Sequence, residues 1–540
     1  MYKNRIIYQI YPLSFKDSNN DGIGDIKGII SKLDYLKYLG VGILWLSPIY
    51  ASDFKDNGYD ISDYYEINPR FGTMEDFDML IEEANKRDIK IIMDLVINHT
   101  SNNHVWFKEA LKDKNSKYRD YYYFRPGNGK KPPNNWNSSF SGSCWEKVEG
   151  EENMYYLHLY TKEQPDLNYH NPEVINEVEK ILKFYLDKGV AGFRCDVINQ
   201  IYKTSLENGK FRFFNCGKEY YESQEENFNI LKRFQDNVIS KYPGAFLVGE
   251  TSNITPEIGN KFLNRGCLQL FFEFEHAFCD MNGFIPIFKK KFKPKNLINP
   301  LLKWQDEVPW IGAYLENHDQ RRSVTRFGNE EKYWKESAKA LAMFLLSLKG
   351  TPFIYQGQEI GTVDYKDLSY EETNDCMAKS AVQSAKQILK LKTSTAFKMV
   401  NRTINRDHAR NPMQWENSFN AGFNDGATTW LKVNKTYEKG INVDDQMQDP
   451  SSILRFYKKM IKFRNNNKTL QEGTFLKAKS NCNVAKFIRQ TFEETLLIVV
   501  NLSGKTIKEK LPNQKVLIAN DYDINENYLK PYQGIIYKIK

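Results

Sequence analysis

Short apolar runs alternate with helically spaced segments along most of this chain. Residues 6–11, 42–46 and 89–96 are strand-like apolar runs, and residues 26–39 and 77–85 have helical spacing. A strand that is apolar on both faces must be covered on both faces, which is typical of parallel sheets. The alternation therefore predicts an α/β fold in which each strand is followed by a helix.

The same alternation continues through the middle of the chain. Further segments follow it: helix 175–187, strand 191–194, strand 245–249, strand 312–316, helix 335–348 and strand 351–355. Right-handed strand–helix–strand units repeated over about 250 residues are typical of a (β/α)8 TIM barrel. An open doubly wound sheet would show the same alternation and is kept as an alternative.

Two segments depart from the pattern and predict additional domains. Residues 101–169 are rich in Asn, Gly, Pro and aromatic residues, and so long a loop is unusual inside a compact domain. We expect an inserted small domain there, after the third strand. The barrel would then comprise residues 1–100 and 170–466, with a polar, partly helical insertion at about 362–404. Short alternating strands predict an antiparallel β-sandwich over residues 467–540.

Composition narrows the class of protein. The 540 residues carry a formal net charge of +8, with Lys and Arg spread along the chain, so a nucleic-acid partner is not expected. No apolar run is long enough to span a membrane. The seven cysteines form no pairing pattern, and the first residues show no signal-peptide pattern. These features predict a cytoplasmic protein, and we expect it to act as a monomer.

Charged and polar residues cluster where the predicted strands end. Asp94, Arg194 with Asp196, Glu250 and Asp319 all lie at such positions. The carboxyl ends of barrel strands converge on one site, and charges there are costly to bury unless they are paired or used. A single carboxylate of this kind would be interpreted as a cap or an ion pair. Four strand ends together, with Arg and His beside the acids, indicate a catalytic site.

The arrangement suits glycoside cleavage with retention of configuration. That reaction needs one carboxylate as nucleophile and a carboxylic acid that protonates the leaving oxygen. Arg194 lies two residues before Asp196 on a strand, so the two side chains share a face, and the guanidinium favours an ionised nucleophile. Glu250 follows four apolar or small residues and is the better candidate for the group that keeps its proton.

The motifs are specific enough to identify a family resemblance over essentially the whole chain. They are DLVINH at 94–99, QPDLN at 164–168, GFRCD at 192–196, GE at 249–250 and NHD at 317–319. With them the chain resembles glycoside hydrolase family 13, the α-amylase superfamily, in its oligo-1,6-glucosidase branch. The resemblance implies Asp196 as nucleophile, Glu250 as general acid/base and Asp319 as the third acid, which stabilises the transition state.

The resemblance also implies a glucose pocket for a short oligosaccharide substrate. The expected lining residues are Tyr59, Asp60, His99, Arg194, His318 and Arg406. Asp60 and Arg406 match a pair that closes the pocket around the non-reducing end of the substrate, and Tyr59 is the expected stacking platform. For the two histidines, a structural role in the core is the alternative interpretation.

Val197, directly after the nucleophile, bears on linkage. In the family, Val at this position goes with α-1,6 cleavage, and Ala or Thr goes with α-1,4 cleavage. We therefore expect a retaining, exo-acting α-glucosidase that cleaves α-1,6 bonds of isomaltose and short isomalto-oligosaccharides. The alternative interpretation of Val197 is a β-branched strand residue that only packs in the barrel.

Three other functions share these motifs. A trehalose-6-phosphate hydrolase would need a cationic subsite, for which Arg321 and Arg322 are candidates, although a solvated pair is a simpler interpretation. A sucrose-isomerising transglycosylase would differ in excluding water from the site. A catalytically inactive, transporter-associated relative is disfavoured because all three acids are present.

A second motif predicts a metal site near the N-terminus. Oxygen ligands alternate along it, from the side chains of Asp17, Asn19, Asp21 and Asp25 and the carbonyl of Ile23. This matches the first part of an EF-hand loop, but Gly28 stands where the EF-hand has Glu. The family resemblance implies a structural Ca²⁺ here, and a turn without metal is the alternative. No organic cofactor is expected.

Chelation tests the predicted metal site. A strong chelator is expected to lower the melting temperature, because the loop leads from the first strand into the first helix. Turnover by protein that stays folded is expected not to change, because the loop carries no catalytic acid. A melting curve that chelation leaves unchanged, with no metal found by elemental analysis, would support the turn without metal.

Overall fold

A computed structural model describes residues 2–212, 215–282 and 286–540. Its largest sheet consists of eight strands: β1 Ile7–Ile10, β2 Ile43–Leu46, β3 Lys90–Leu95, β4 Gly192–Cys195, β5 Phe246–Glu250, β6 Leu270–Phe272, β7 Gly312–Ala313 and β8 Thr351–Tyr355. Hydrogen bonds join them in the order β6-β5-β4-β3-β2-β1-β8-β7, and every pair is parallel. At the remaining seam the ring of Phe272 packs against Gly312, where an added Cβ would lie only 2.9 Å from the ring. The predicted (β/α)8 barrel is confirmed.

Helices follow the strands and cover the outside of the barrel. Those between consecutive strands are Ile26–Ser31, Leu33–Leu39, Met74–Lys86, Pro172–Asp187, Glu225–Asn237, Pro256–Asn264, Pro294–Glu307 and Trp334–Ser347, and Ile453–Asn465 follows the last strand. Shorter or additional helices are Val105–Lys112, Ser323–Phe327, Cys376–Leu389, Thr393–Asn401, Asp407–Arg410, Val443–Gln448 and Lys468–Glu472. The apolar faces of the outer ring pack against the strands in one continuous core.

The elements differ from the predicted ones at three places. Strand β6 was not predicted, because it has only three residues and is followed at once by charged positions. The single helix expected over 26–39 is two helices, since Lys32 leaves helical geometry with φ −109° and ψ 6°. The strand expected over 312–316 is only Gly312–Ala313, so Asp319 lies six residues beyond the end of β7.

The segment after β3 contains its own small sheet. Its antiparallel strands are Phe124–Pro126, Trp145–Lys147 and Met154–Leu157, with the last one in the centre. A buried polar cluster joins this segment to the barrel: the Lys203 ammonium lies 2.6 Å from the Asp166 carboxylate and donates to the side-chain oxygen Oδ1 of Asn98 at 2.9 Å. Asn98 in turn donates to Asp166 at 3.1 Å. The segment is therefore held directly beside the end of β3.

The C-terminal residues form two antiparallel sheets. The larger one has the order Thr474–Lys477, Val484–Gln490, Thr495–Asn501, Gly534–Lys538 and Lys515–Ala519, and the smaller one pairs Ile507–Lys508 with Tyr528–Leu529. Apolar side chains from both sheets share one core. Arg489 connects this part to the barrel by donating to the Ser347 carbonyl at 3.0 Å.

The barrel interior is apolar at one end and polar at the other. Ile7, Ile43, Phe246 and Phe353 fill its interior. Towards the carboxyl ends of the strands the interior changes to Gln9, the Trp45 indole and charged groups. Among the described residues, no helix has both the length and the apolar character needed to cross a bilayer. The polar end of the barrel is the place where the predicted site residues converge.

Candidate active site

One buried arginine binds three carboxylates at the ends of β3, β4 and β5. The Nη1 of Arg194 lies 2.7 Å from Asp94 Oδ1 and 2.7 Å from Asp196 Oδ1, and its Nη2 lies 2.7 Å from Glu250 Oε2. The Arg194 side chain is 1% exposed. The predicted shared face of Arg194 and Asp196 is thus present, and Glu250 joins it from the neighbouring strand. Asp94 was recognised in a motif, but no role was predicted for it.

This cluster holds more negative charge than its one cation balances. Burial raises the pKa of Asp94 to about 6, although Arg194 opposes the shift. Burial also raises the pKa of Asp196 well above its usual range; Arg194 opposes this, and the Glu250 carboxylate adds to it. Such groups titrate together, so the raised pKa values belong to the cluster and not to either carboxyl alone. A site that keeps one carboxyl protonated beside an ionised one can supply both an acid and a nucleophile.

Val197 turns the chain so that its amide faces Glu250. Its backbone has φ 37° and ψ 38°, a left-handed conformation that β-branched residues rarely adopt. In that conformation the Val197 N–H donates to Glu250 Oε2 at 3.0 Å. Strain of this kind persists only where the surroundings impose it, and it occurs often at active sites. Val197 is therefore more than a packing residue, since its backbone orients Glu250.

Asp319 lies in a separate cationic environment. Its Oδ1 accepts from Arg410 Nη2 at 2.8 Å and from Arg406 Nη1 at 3.4 Å, and its Oδ2 lies 3.2 Å from His318 Nε2. Burial acts to raise the pKa of Asp319, but His318, Arg406 and Arg410 outweigh burial and lower it. Asp319 is therefore ionised at neutral pH. Its side chain is 28% exposed, so it faces the open space of the site.

Tyr59 and His318 connect the two acidic clusters. The Tyr59 hydroxyl lies 2.7 Å from His318 Nε2 and donates to Asp94 Oδ2 at 3.0 Å. The Tyr59 and His318 rings stack with centroids 5.4 Å apart and an angle of 4°. His99 contacts the Tyr59 carbonyl at 3.1 Å and the Gln164 amide at 3.0 Å. The two histidines and Tyr59 thus lie at the site, as predicted.

Asp60 and Arg406, the two residues expected to close the pocket around the substrate, form no ion pair with each other. Arg406 Nη2 lies 3.0 Å from Asp56 Oδ1, not beside Asp60. Asp60 is fully buried within its own loop, where its Oδ1 accepts from Ser52 Oγ at 2.9 Å and from the Asp56 amide at 3.1 Å. Burial raises the pKa of Asp60 to about 6. The two aspartates lie four residues apart in one loop. Asp56 contacts Arg406, and Asp60 keeps one buried oxygen, Oδ2, without a hydrogen-bond partner.

The polar insertion supplies a second carboxylate to the same arginine. Asp375 begins helix Cys376–Leu389, and its Oδ1 lies 2.7 Å from Arg406 Nη2. Arg406 also lies over the Phe140 ring, 5.3 Å from its centroid. Phe140 in turn contacts Tyr160, which lies 5.6 Å away by ring centroids. The strands Tyr50–Ser52 and Ile61–Ile67 form an antiparallel hairpin after β2, and its loop carries Asp56. Arg406 therefore lies where this hairpin loop, the inserted segment and the polar insertion meet.

Arg321 and Arg322, the candidate phosphate-binding residues, each form an ion pair with an internal acid. Arg321 is 7% exposed and pairs with Asp364, to which its Nε donates at 2.7 Å. Arg322 is 2% exposed and lies 3.1 Å from the Glu316 carboxylate. These two arginines form neither the phosphate subsite nor the solvated pair considered for them, because each guanidinium is buried against an internal acid.

The Asp17–Asp25 loop has the donor chemistry of a calcium site but not its arrangement. Asp17 accepts four N–H donors, from the amides of residues 19, 20 and 22 and from Asn424, which is the full capacity of a carboxylate. Asp25 accepts from Ser18 and from the Gly28 amide, as the cap of the first helix. Asp21 accepts from the Ile23 amide and from the Asn19 side chain. Within the described ranges, no three His, Cys, Asp or Glu side chains converge on a possible metal position.

Several site residues were not predicted, for identifiable reasons. Arg410 follows Arg406 by four residues on one helical turn, and this spacing puts both guanidinium groups beside Asp319. Asp375 carries no motif, and only its position before a helix could have been noticed. Gln9 lies inside an apolar strand, where a single polar residue in the barrel interior was a usable signal.

The comparisons with known proteins agree on one family. The alpha-amylase catalytic domain family matches residues 9–473. An oligo-1,6-glucosidase from Parageobacillus thermoglucosidasius is 44% identical, covering 100% of this chain and 99% of that protein. The solved trehalose-6-phosphate hydrolase of Bacillus licheniformis has a TM-score of 0.92 at 38% identity and covers 99% of both chains. The isomaltulose synthase of Klebsiella sp. LX3 has a TM-score of 0.94 at 36% identity, also covering 99% of both. The chain belongs to the α-amylase family of glycoside hydrolases.

Proposed function

We propose that this protein is a retaining, exo-acting α-glucosidase that hydrolyses α-1,6 bonds of isomaltose and short isomalto-oligosaccharides. The observation that carries the proposal is the pairing of Asp196 and Glu250 with neighbouring nitrogens of Arg194. A nucleophile and an acid side by side are what a retaining enzyme needs, since its two carboxyl groups are about 5–5.5 Å apart. The similar oligo-1,6-glucosidase supports the choice of linkage.

The proposed mechanism assigns one role to each acid. Asp196 attacks the anomeric carbon and forms a covalent glycosyl-enzyme, while Glu250 gives its proton to the leaving oxygen. Water then cleaves this intermediate, with Glu250 acting as base. The Val197 amide and Arg194 both donate to Glu250 Oε2, so Oε1 is the oxygen proposed to deliver the proton to the leaving group.

Asp319 and Arg406 support recognition of a terminal glucose. Asp319 is ionised and partly exposed, and a carboxylate in that state accepts hydrogen bonds from sugar hydroxyls. Beyond it, Arg406 is fixed by Asp56 and Asp375 and covered by Phe140. This wall supports binding of the substrate by its non-reducing end, and hence exo action.

The alternatives are weaker on this geometry. A trehalose-6-phosphate hydrolase needs a cationic phosphate subsite, and Arg321 and Arg322 are committed to internal acids. A sucrose isomerase shares the fold and all three acids, so a substrate panel must distinguish it. Four expectations stay predictions: the domain boundaries at residues 101–169 and 467–540, the calcium ion, the monomeric state and the cytoplasmic location. No step of the proposed mechanism passes through a metal.

A panel of isomaltose, maltose, trehalose 6-phosphate and sucrose tests the activity directly. Isomaltose is expected to be hydrolysed with the highest kcat/KM, and rapid NMR should show α-glucose as the first product. The Asp196→Asn variant is expected to fold and to lose at least about a thousandfold in kcat, since no other group can form the glycosyl-enzyme. Initial β-glucose, or a variant that keeps a tenth of the turnover, would exclude this mechanism.

Val197→Ala tests the origin of linkage preference. The side chain beside the nucleophile is expected to crowd a 4-linked leaving glucose, whereas a 6-linked glucose has an extra rotatable carbon. Contacts of about one methyl group discriminate by roughly 10–200-fold, so the variant should narrow the isomaltose-to-maltose ratio of kcat/KM by about tenfold. The melting temperature should not fall, because Ala is less strained than Val in the left-handed region. An unchanged ratio would place specificity in the loops after β5 and β7.

Asp56→Asn and Asp60→Asn form a matched pair of variants in one loop. Asp56→Asn is expected to lower kcat/KM for isomaltose about tenfold or more, because Arg406 loses an ion pair at the pocket wall. Asp60→Asn should leave kcat/KM within about twofold, since the amide oxygen can still accept from Ser52 and the Asp56 amide. Equal effects of the two variants on kcat/KM would contradict the assignment of Asp56 to the site.

A further inference from the structure

A chain of hydrogen bonds runs across the barrel from β1 to the Arg194 cluster. Gln9 Nε2 lies 2.7 Å from His318 Nδ1, and His318 Nε2 lies 2.7 Å from the Tyr59 hydroxyl. Tyr59 donates to Asp94 Oδ2 at 3.0 Å, and Asp94 binds Arg194. All these groups are buried. The chain joins the side of the site that holds Asp319 to the side that holds the proposed nucleophile.

The donors in this chain follow from what each group can do. Asp94 accepts from Arg194 at its other oxygen, and its Oδ2 faces only donors, so it takes the single proton of the Tyr59 hydroxyl. The Tyr59 oxygen is then an acceptor towards His318. The second group near His318 Nε2 is the Asp319 carboxylate, at 3.2 Å, which also only accepts. His318 Nε2 must therefore carry a proton.

The other ring nitrogen of His318 then needs a donor. Burial lowers the pKa of His318 to about 3, although Asp319 opposes the shift; Arg410, Arg194 and Arg406 add to it. A neutral ring with its proton on Nε2 has a lone pair on Nδ1. The Gln9 amide faces that lone pair, and its Nε2 also donates to Ser47 Oγ at 3.2 Å. Both protons of the amide are thus used.

The ring of His318 is held in place from several sides. Tyr59 stacks on it, and Tyr11 lies nearly parallel with centroids 6.0 Å apart. Trp45 meets its edge at 5.9 Å. Its backbone carbonyl accepts from Arg410 Nε at 3.0 Å. Packing therefore sets the plane of the ring, but packing cannot decide which nitrogen carries the proton.

We propose that Gln9 is a positioning residue that holds His318 as the neutral Nε2–H tautomer and so aims its N–H at Asp319 and Tyr59. Gln9 does not touch the substrate and acts through His318. A glutamate in its place would accept instead of donate, and His318 would lie between two carboxylates. The expected result is protonation of both ring nitrogens near neutral pH, and a changed charge beside Asp319. The expected change in kcat on isomaltose rests on the proposed function, but the tautomer of His318 measured by NMR does not.

The test is the tautomer of His318, read by long-range ¹H–¹⁵N correlation NMR on enzyme labelled with ¹⁵N-histidine. The chain has seven histidines, and the signal that is lost in His318→Gln identifies the right one. In the wild type, Nδ1 is expected to be unprotonated and Nε2 protonated. In Gln9→Glu, both nitrogens should be protonated at pH 7, and kcat on isomaltose should fall at least about tenfold with a smaller change in KM.

Two controls separate this role from general damage to the barrel. Gln356→Glu places a carboxyl in the same polar layer, where Gln356 accepts from the Tyr11 amide, and should leave the His318 tautomer unchanged. Ser47→Ala removes the other partner of the Gln9 amide and should also leave it unchanged. Gln9→Met, similar in size but without a donor, should lower kcat and release Nδ1, so that part of the His318 population carries a proton on Nδ1. It replaces Gln9→Glu if that variant does not fold, and a folded Gln9→Met enzyme whose Nδ1 stays fully unprotonated would overturn the proposed role.

The outcomes are distinct. A wild-type His318 with its proton on Nδ1 overturns the inference without any variant, as does a folded Gln9→Glu enzyme whose Nδ1 stays unprotonated. An enzyme inactive on isomaltose whose His318 signals behave as described would reject the proposed function and support the role of Gln9. An enzyme active on isomaltose whose His318 carries its proton on Nδ1 would support the proposed function and reject the role of Gln9.

Discussion

The guanidinium of Arg194 holds three carboxylates that would otherwise repel one another in a buried space. Its position is set by the parallel order of β3, β4 and β5, whose carboxyl ends bring Asp94, Asp196 and Glu250 to one point. Without that cation, three ionised carboxylates could not share so dry an environment. Arg194 opposes the rise that burial causes in the pKa values of Asp94 and Asp196, and it holds Asp196 and Glu250 on neighbouring nitrogens. The barrel thus supplies the geometry, and Arg194 supplies the charge balance.

The second half of the site is built by parts outside the barrel strands. Asp319 follows β7, but the arginines that keep it ionised come from the turn at residues 406–410, after the polar insertion. The wall beyond it combines Asp56 from the hairpin loop after β2 with Phe140 from the segment after β3. One side of the site therefore depends on the strands, and the other depends on three loops meeting at Arg406. Differences in substrate preference among enzymes of this fold can accumulate on the second side without disturbing the first.

The strand pattern was sufficient for the alternation of strands and helices and for the positions of Asp196 and Glu250, because buried parallel strands leave continuous apolar runs and charged residues at their ends are conspicuous. The pattern alone did not separate a closed barrel from an open sheet, and the family resemblance favoured the barrel. It was insufficient for β6, whose three residues are too few to show a pattern. The choice between Asp56 and Asp60 depended on which way a loop folds, and residue type carries no information about that. The ion pair of Arg321 could not be predicted either, since its partner Asp364 lies 43 residues away in the sequence. Pairing across long separations is a property of the fold and appears only once the elements are in place.

The ion pair of Asp375 with Arg406 brings together the two ends of a long excursion of the chain. Between them lie the helices Cys376–Leu389 and Thr393–Asn401, which pack on each other around Val382 and Val400. The Arg406 amide also donates to Asp375 at 2.9 Å, so the segment between them begins and ends at two residues that are bonded to each other. For a flexible loop, doubling the length between fixed ends costs only about 0.6 kcal/mol. This helix pair can therefore be lengthened, shortened or replaced, while the ion pair between Asp375 and Arg406 keeps Arg406 in place at the site.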